Sequence, residues 1–356
     1  MPRVFGKRFD TDVAQPNLGR YATQPMSERN TSSADLSVII VTYNSAASVA
    51  DCLRSVLAYV PGAEAIVVDN GSTDGTVELA ARNPCVRVIT GHGNVGFGAG
   101  VNLGAHAASG GLLLVLNPDA SLVAVDHGEL QILRRDLVTG LVGCRVRDPQ
   151  GERHFKSVAW GWHAELYWAL AQYFLAPREV SLRRPRLLDW RRRHWIAGAA
   201  FVARRSEFLE VGGFDDRFFL YFEDFDLSRI YRARGWPIRS TDAFTVAHIG
   251  QSSSPREEHT MTAYALLGLI EYVHKWEGAG AARDVASQCL RLLKAVEIVG
   301  RACEHIPLLG PRAAKKRKSA YAVRASLLAA ATESPVPGAY PAASDALRSA
   351  RRSRTA

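Results

Sequence analysis

From Leu36 onward, short unbroken apolar runs alternate with longer stretches in which apolar residues recur every three to four positions. The run Leu36-Ser37-Val38-Ile39-Ile40-Val41 is β-branched and apolar on both faces, the signature of a strand covered on both sides. The turn Thr42-Tyr43-Asn44-Ser45 follows, and the spacing of Val49, Leu53, Val56 and Leu57 predicts a helix from Ala47 to Tyr59. The alternation then repeats. Ala65 to Val68 reads as a strand, Asp69-Asn70-Gly71-Ser72 as a turn, and Thr73 to Arg82 as a helix. Val86 to Ile89 is a third strand, Gly98 to Ala108 a third helix, and Leu112 to Leu116 a fourth strand. Strands and helices in strict alternation predict an α/β domain around a mainly parallel sheet. Ligands of such sheets bind beyond the carboxyl ends of the strands. That rule selects three tips: Thr42-Tyr43-Asn44, Asp69-Asn70 and Asn117-Pro118-Asp119.

The ends of the chain break the pattern. Residues 1–34 are polar and aperiodic and are expected to form a flexible arm. Residues 150–200 are irregular, with the aromatic stretch Trp160, Trp162, Tyr167, Trp168 and Tyr173 ahead of Arg183, Arg184, Arg186, Arg191, Arg192 and Arg193. Helical spacing returns over Met261–Trp276 and Ala281–Cys303. The expected division is an arm (1–34), a catalytic domain (35–255), a helical extension (256–312) and a basic, disordered tail (313–356). The extension is open to packing on the catalytic domain, to dimerising or to lying on lipid.

Composition narrows the partners. The chain of 356 residues is 47% hydrophobic with a net charge of +9, which favours anionic partners such as phosphate-bearing substrates, nucleic acid or an anionic membrane surface. Lys315-Lys316-Arg317-Lys318 is basic, but no nucleic-acid-binding motif accompanies it, so nucleic acid is not expected. The five cysteines lack metal or redox spacing and read as thiols of a reducing compartment. No signal peptide and no apolar stretch of membrane-spanning length is expected. The expected location is therefore the cytoplasm, free or peripheral on the inner face of the plasma membrane. The segment 160–193 is open to two readings, a headgroup interface or a core helix with a solvated basic loop.

Four acidic or basic positions carry candidate chemistry. Asp69 either accepts hydrogen bonds from a base or ribose, or caps the next helix. Asp119 either binds a hard cation shared with substrate phosphates, or belongs to an Asn-Pro-Asp turn. Glu223-Asp224-Phe225-Asp226 sits among Phe218, Phe219, Tyr221 and Phe222, where carboxylates are costly unless used or paired. One of them can serve as general base, or the run can favour a helix N-terminus. His248, in AHIGQSS, is structural or a metal ligand. Gly91-His92-Gly93-Asn94-Val95-Gly96 fits a dinucleotide fingerprint but follows the third strand, so it reads instead as part of a flexible loop, Gly91 to Gly104, whose backbone closes over a ligand.

Taken in order, VIIVTYN (38–44), VVDNGSTDGT (67–76), GNVGFGAGVNLGA (93–105), LNPDA (116–120), the segment 198–236 and AHIGQSS (247–253) resemble family 2 glycosyltransferases of the GT-A fold. The subgroup is similar to bacterial rhamnosyltransferases of surface-polysaccharide synthesis. The resemblance implies an inverting enzyme that uses a nucleotide-diphosphate sugar, with L-rhamnose from dTDP-L-rhamnose as first choice and a UDP- or GDP-sugar as alternative. The implied acceptor is a glycan or a polyprenyl-diphosphate-linked sugar. Asp224 matches the catalytic base, with Glu223 beside it and Asp226 structural. Thr42, Tyr43, Asn44, Asp69, Gly96, Phe97, Asn102 and Asn117 are implied to hold the donor, and Trp195 and Gly198 the acceptor. Asp119 and His248 are implied to meet a divalent cation, Mg²⁺ or Mn²⁺, although Asn117 replaces the first acid of the family's D-x-D motif.

Overall fold

A computed structural model describes residues 35–135, 140–148, 151–153, 195–196, 198–248, 255–304, 310–330 and 339–352. The flexible-arm expectation for 1–34 and the membrane reading of 160–193 fall outside them. The first half follows the alternation in the sequence: β1 (Leu36–Thr42), α1 (Val49–Tyr59), β2 (Glu64–Asp69), α2 (Thr76–Ala81), β3 (Val86–Ile89), α3 (Phe97–Ala107) and β4 (Leu112–Leu116). There follow β5 (Ala120–Val125), α4 (His127–Arg135), β6 (Leu141–Asp148), β7 (Gly151–Arg153), β8 (Ala200–Arg204), α5 (Arg205–Glu210), α6 (Glu223–Ala233) and β9 (Ile238–His248). Four helices end the chain: α7 (Pro255–Glu277), α8 (Ala279–Cys303), α9 (Gly310–Ala330) and α10 (Pro341–Arg352).

The strands form one sheet in the order β3-β2-β1-β4-β8-β6-β9-β5, with β7 beside β6. Strands β3, β2, β1 and β4 are parallel, and β8 then enters antiparallel to β4. The expected α/β class stands, with the parallel part confined to the nucleotide-type half and to the β6–β9 pair. Alternate residues of β1 serve the two sides of the sheet. Val38 and Ile40 pack with α1 residues Val49, Leu53 and Val56. Ile39 and Val41 pack with Val101 and Ala105 of α3 and with Leu227 and Tyr231 of α6. Each such buried aliphatic side chain contributes roughly 1.5–3 kcal/mol, so β1 holds both layers to the sheet.

Two expectations need correction. The glycine-rich stretch is a loop only as far as Gly96, because α3 begins at Phe97. Gly98, Gly100 and Gly104 are helical and mark close packing. A side chain at 100 would meet Val41 at 2.8 Å, and one at 104 would meet Ile39 at 2.5 Å. The tail is not disordered over 310–330 and 341–352. Ala320, Val323 and Leu327 on α9, with Ala343 and Leu347 on α10, recur at helical spacing and are buried against α7 and α8. Small apolar residues between cations hid that stripe from a reading by composition. The bundle α7–α10 also takes in Phe218, Phe219 and Phe222, so it packs directly on the acidic segment.

Candidate active site

The first tip is built by Asp69. Its carboxylate is buried and receives four hydrogen bonds: from Thr42 Oγ1 (2.8 Å) and Ser72 Oγ (2.5 Å) at Oδ1, and from the amides of Gly71 (3.0 Å) and Ser72 (2.8 Å) at Oδ2. Asp69 thus orders the β2–α2 turn and ties it to β1. Ser72 and Asp74 belong to that turn, which is why α2 starts at Thr76 rather than Thr73. Asn44, at φ 48°, completes the link: its amide donates to Ser72 Oγ (2.8 Å) and its Oδ1 accepts from the Thr73 amide (2.9 Å). Tyr43 stands beside them, 55% exposed and near Tyr264 of α7.

Asn70 joins this tip to the glycine loop. Its Nδ2 donates to the Gly96 carbonyl (3.0 Å), and its Oδ1 lies 3.1 Å from His92 Nε2. Burial lowers the pKa of His92, with the Asp69 carboxylate acting the other way, so the ring is biased toward neutrality. Gly96 (φ 90°) then meets the acidic segment: a side chain there would strike the Phe219 carbonyl at 2.3 Å. The Phe97 amide donates to that same carbonyl at 3.0 Å. Asn70 lies in a tip that the strand-end rule selects and His92 in the glycine loop, but the sequence assigns neither a partner, and the Phe219 carbonyl is backbone that no side-chain pattern reports.

The second tip lies beside β8. Antiparallel pairing of Leu116 with Ala200 brings Asn117 next to Ala199, whose carbonyl accepts from the Asn117 amide at 3.0 Å. One residue earlier, the Gly198 amide donates to Asp224 Oδ2 at 3.2 Å. A side chain at 198 would meet Phe97 at 3.4 Å and Asp224 Oδ2 at 3.8 Å, so Gly198, Phe97 and Asp224 converge. Trp195 stacks on Phe225 with ring centroids 4.4 Å apart. Pairing of β5 with β9 sets Ala120 opposite His248, which leaves His248 Nε2 3.1 Å from Asp119 Oδ1. Among the described residues no group of three or more His, Cys, Asp or Glu side chains could hold a metal. The Asp119–His248 pair offers one oxygen and one nitrogen, which fits Mg²⁺ or Mn²⁺ only if substrate phosphates and water complete the shell.

The acidic segment is the most constrained part of the site. Tyr221 (φ 69°) and Phe222 (φ 71°) are consecutive left-handed residues with bulky side chains. Such residues cost of order 1–3 kcal/mol each and persist only where their surroundings enforce them. Here the enforcement comes from 120 residues downstream. Tyr340 Oη accepts from the Leu220 amide (2.8 Å) and donates to the Leu220 carbonyl, while the Tyr340 amide donates to the Arg217 carbonyl at 2.9 Å. Gly268 of α7 lets the Tyr221 carbonyl approach, since a side chain there would meet it at 2.6 Å. Lys275 bridges Asp215 (2.8 Å) and Asp226 (2.7 Å), and Trp276 Nε1 donates to Asp226 Oδ1 at 2.8 Å.

The three acids of α6 therefore have different fates. Asp226 is fully buried and consumed by Lys275 and Trp276, the structural role expected of it. Burial and then the neighbouring Asp224 charge push the Glu223 carboxyl well above its ordinary range, which favours its neutral form. Asp224 is only partly buried and turns Oδ2 toward Gly198. Asn102 is not brought to this centre. Its carboxamide braces the loop after α5, donating to the Phe214 carbonyl (2.8 Å) and Asp216 (3.1 Å) and accepting from the Phe214 amide (2.9 Å).

Residues 37–222, just over half of the chain, match the family described as Glycosyl transferase family 2. The chain belongs to that family. It is a glycosyltransferase, and the expected GT-A class follows. An N-acetylglucosaminyl-diphospho-decaprenol L-rhamnosyltransferase of Mycobacterium tuberculosis is 32% identical over 247 residues, 62% of this chain and 78% of the relative. The low-salt glycan biosynthesis hexosyltransferase Agl10 of Haloferax volcanii is 25% identical over 205 residues, 56% of this chain and 62% of that protein. A crystal structure of GalNAc-T7 with UDP, GalNAc and Mn²⁺ aligns with a TM-score of 0.48 at 20% identity, over 69% of this chain and 49% of that one; the chain thus spans about half of its length. No helix among the described residues is long and apolar enough to cross a membrane.

Proposed function

We propose that this glycosyltransferase works by inverting displacement, with Asp224 as the base. The reading rests on one juxtaposition: Asp224 Oδ2 on the Gly198 amide, one residue from the Ala199 carbonyl that holds Asn117 and so the Asp119 tip. An acceptor hydroxyl there loses its proton to Asp224 as its oxygen bonds to the anomeric carbon. The bond from that carbon to the nucleoside diphosphate breaks on the opposite face. A positioned base contributes about 10²–10⁴-fold. A divalent cation on Asp119 and His248 would supply charge neutralisation for the leaving diphosphate. Thr42, Tyr43, Asn44, Asp69 and the Gly96–Phe97 turn would receive the nucleotide, and Trp195 and Gly198 would border the acceptor. Asp69 would have to trade one of its four donors to bond a base.

The finer identity follows the relative from Mycobacterium tuberculosis. We take L-rhamnose from dTDP-L-rhamnose as donor and a polyprenyl-diphosphate-linked sugar as acceptor, with UDP- and GDP-sugars as the competing donors. A thermal-shift screen of nucleotide sugars with Mn²⁺ tests this, because a ligand bound at one hundred times its Kd stabilises by about 2.7 kcal/mol. The largest shift is expected for dTDP-L-rhamnose; a larger one for a UDP- or GDP-sugar replaces the donor. Asp224→Asn is expected to bind that donor normally and to lose transfer by about 10²–10⁴-fold. Turnover like that of the unaltered enzyme would overturn the assignment.

A further inference from the structure

Among the described residues, the two most exposed of the large aliphatic side chains lie side by side on the C-terminal bundle, on a helix that carries no proposed catalytic residue. Ile298 and Val299 of α8 are each 60% exposed, and Tyr321 of α9 is 59% exposed. The two helices cross at this level. Arg324 lies 5.7 Å over the Tyr321 ring and bonds Glu297 twice, at 2.5 and 3.0 Å, while Gly300 backs onto Arg317. Tyr321 therefore neighbours the turn of α8 that carries Ile298.

Helical spacing arranges cations around these residues. Arg291, Lys294, Ile298 and Arg301 follow one another at intervals of three and four on α8, and all are exposed. Lys315, Lys318 and Tyr321 do the same on α9. Glu297 and Glu304 are spent on Arg324 and Arg317, and the exposed acid on this row of α8 among the described residues is Asp284, two turns before Arg291 and four before Ile298.

We propose that this α8–α9 face docks the enzyme on an anionic lipid bilayer. Lysines and arginines meet the phosphate headgroups while Ile298, Val299 and Tyr321 enter the boundary with the acyl chains. A second copy of the chain fits poorly, because pairing would set like charges against each other in a protein of net charge +9. Nucleic acid would leave the two protruding aliphatic side chains without a counterpart.

Flotation of the full chain with vesicles tests the proposal. At about 0.1 M salt the protein is expected to float with phosphatidylcholine vesicles containing phosphatidylglycerol and to stay behind with phosphatidylcholine alone. Near 1 M salt, where the Debye length falls to about 3 Å, it should be released. Lys315→Glu/Lys318→Glu and Ile298→Ser/Val299→Ser should each weaken partitioning by about tenfold or more and leave donor binding by thermal shift unchanged. Absence of flotation with anionic vesicles would overturn the proposal. So would flotation of both variants at the unaltered level, which would put the membrane contact elsewhere in the chain. A dimer that these substitutions convert to monomer would also overturn it in favour of self-association. Because α8 and α9 carry no proposed catalytic residue, a negative result leaves the Asp224 reading intact, and loss of the Asp224 reading leaves this one intact.

Discussion

The two halves of the active site are built on different principles. The donor half is mostly local: β1 and β2 present their tips through contacts such as Thr42–Asp69 and Asn44–Thr73, 27 and 29 residues apart, and the glycine loop reaches further only at its end, where the Phe97 amide meets the Phe219 carbonyl. The catalytic half is assembled from far apart. Glu223 and Asp224 follow two strained residues that Tyr340, Gly268 and Lys275 hold from the C-terminal bundle. The donor half resembles a rigid socket, and the catalytic half a spring clamped from outside. Donor binding should therefore depend on the bundle less than turnover does.

The comparison can be broken in order of expected effect. After Asp224→Asn, the next largest loss is expected for Asp119→Ala, about 10²-fold in transfer, with loss of any stabilisation by Mn²⁺ in the presence of nucleoside diphosphate. Unchanged metal dependence would remove Asp119 from the cation site. Tyr340→Phe deletes the hydroxyl that grips both polar groups of Leu220, roughly 1 kcal/mol per hydrogen bond. A kcat lowered about 5–30-fold with donor KM unchanged is expected; a parallel change in donor affinity would merge the two halves into one unit. The smallest effect concerns Glu223. Burial raises its pKa above the ordinary 4.5, so the stability linked to its proton is complete below that value and is lost as pH rises through the raised one. Glu223→Gln should flatten this decline, giving a Tm that matches the unaltered protein in acid and exceeds it at alkaline pH. Thermal melts across pH check this, and an unchanged slope would mean that Glu223 is solvated.

The same contrast governs what the chain discloses before folding. Buried parallel strands read clearly because Val38–Val41, Ala65–Val68 and Leu112–Leu116 are apolar throughout. The Asp119–His248 pair and the Gly198–Asp224 contact were named residue by residue, but only their resemblance to a family joined them, since 129 and 26 positions separate the partners. The glycine stretch misled because helix-packing glycines and loop glycines look alike until Val41 and Ile39 are seen against them. Tyr340 was invisible. It lies beyond a Pro-rich segment in a tail whose stripe of alanines carries little hydrophobic signal, and its partner is backbone, which no side-chain pattern reports.

The central claim is a single displacement with Asp224 accepting the proton. The anomeric configuration of the first-formed product, followed by NMR with the donor selected by thermal shift, tests it most directly. Inversion relative to the donor is predicted, because attack and departure occupy opposite faces. Net retention would require a second displacement and would contradict the account.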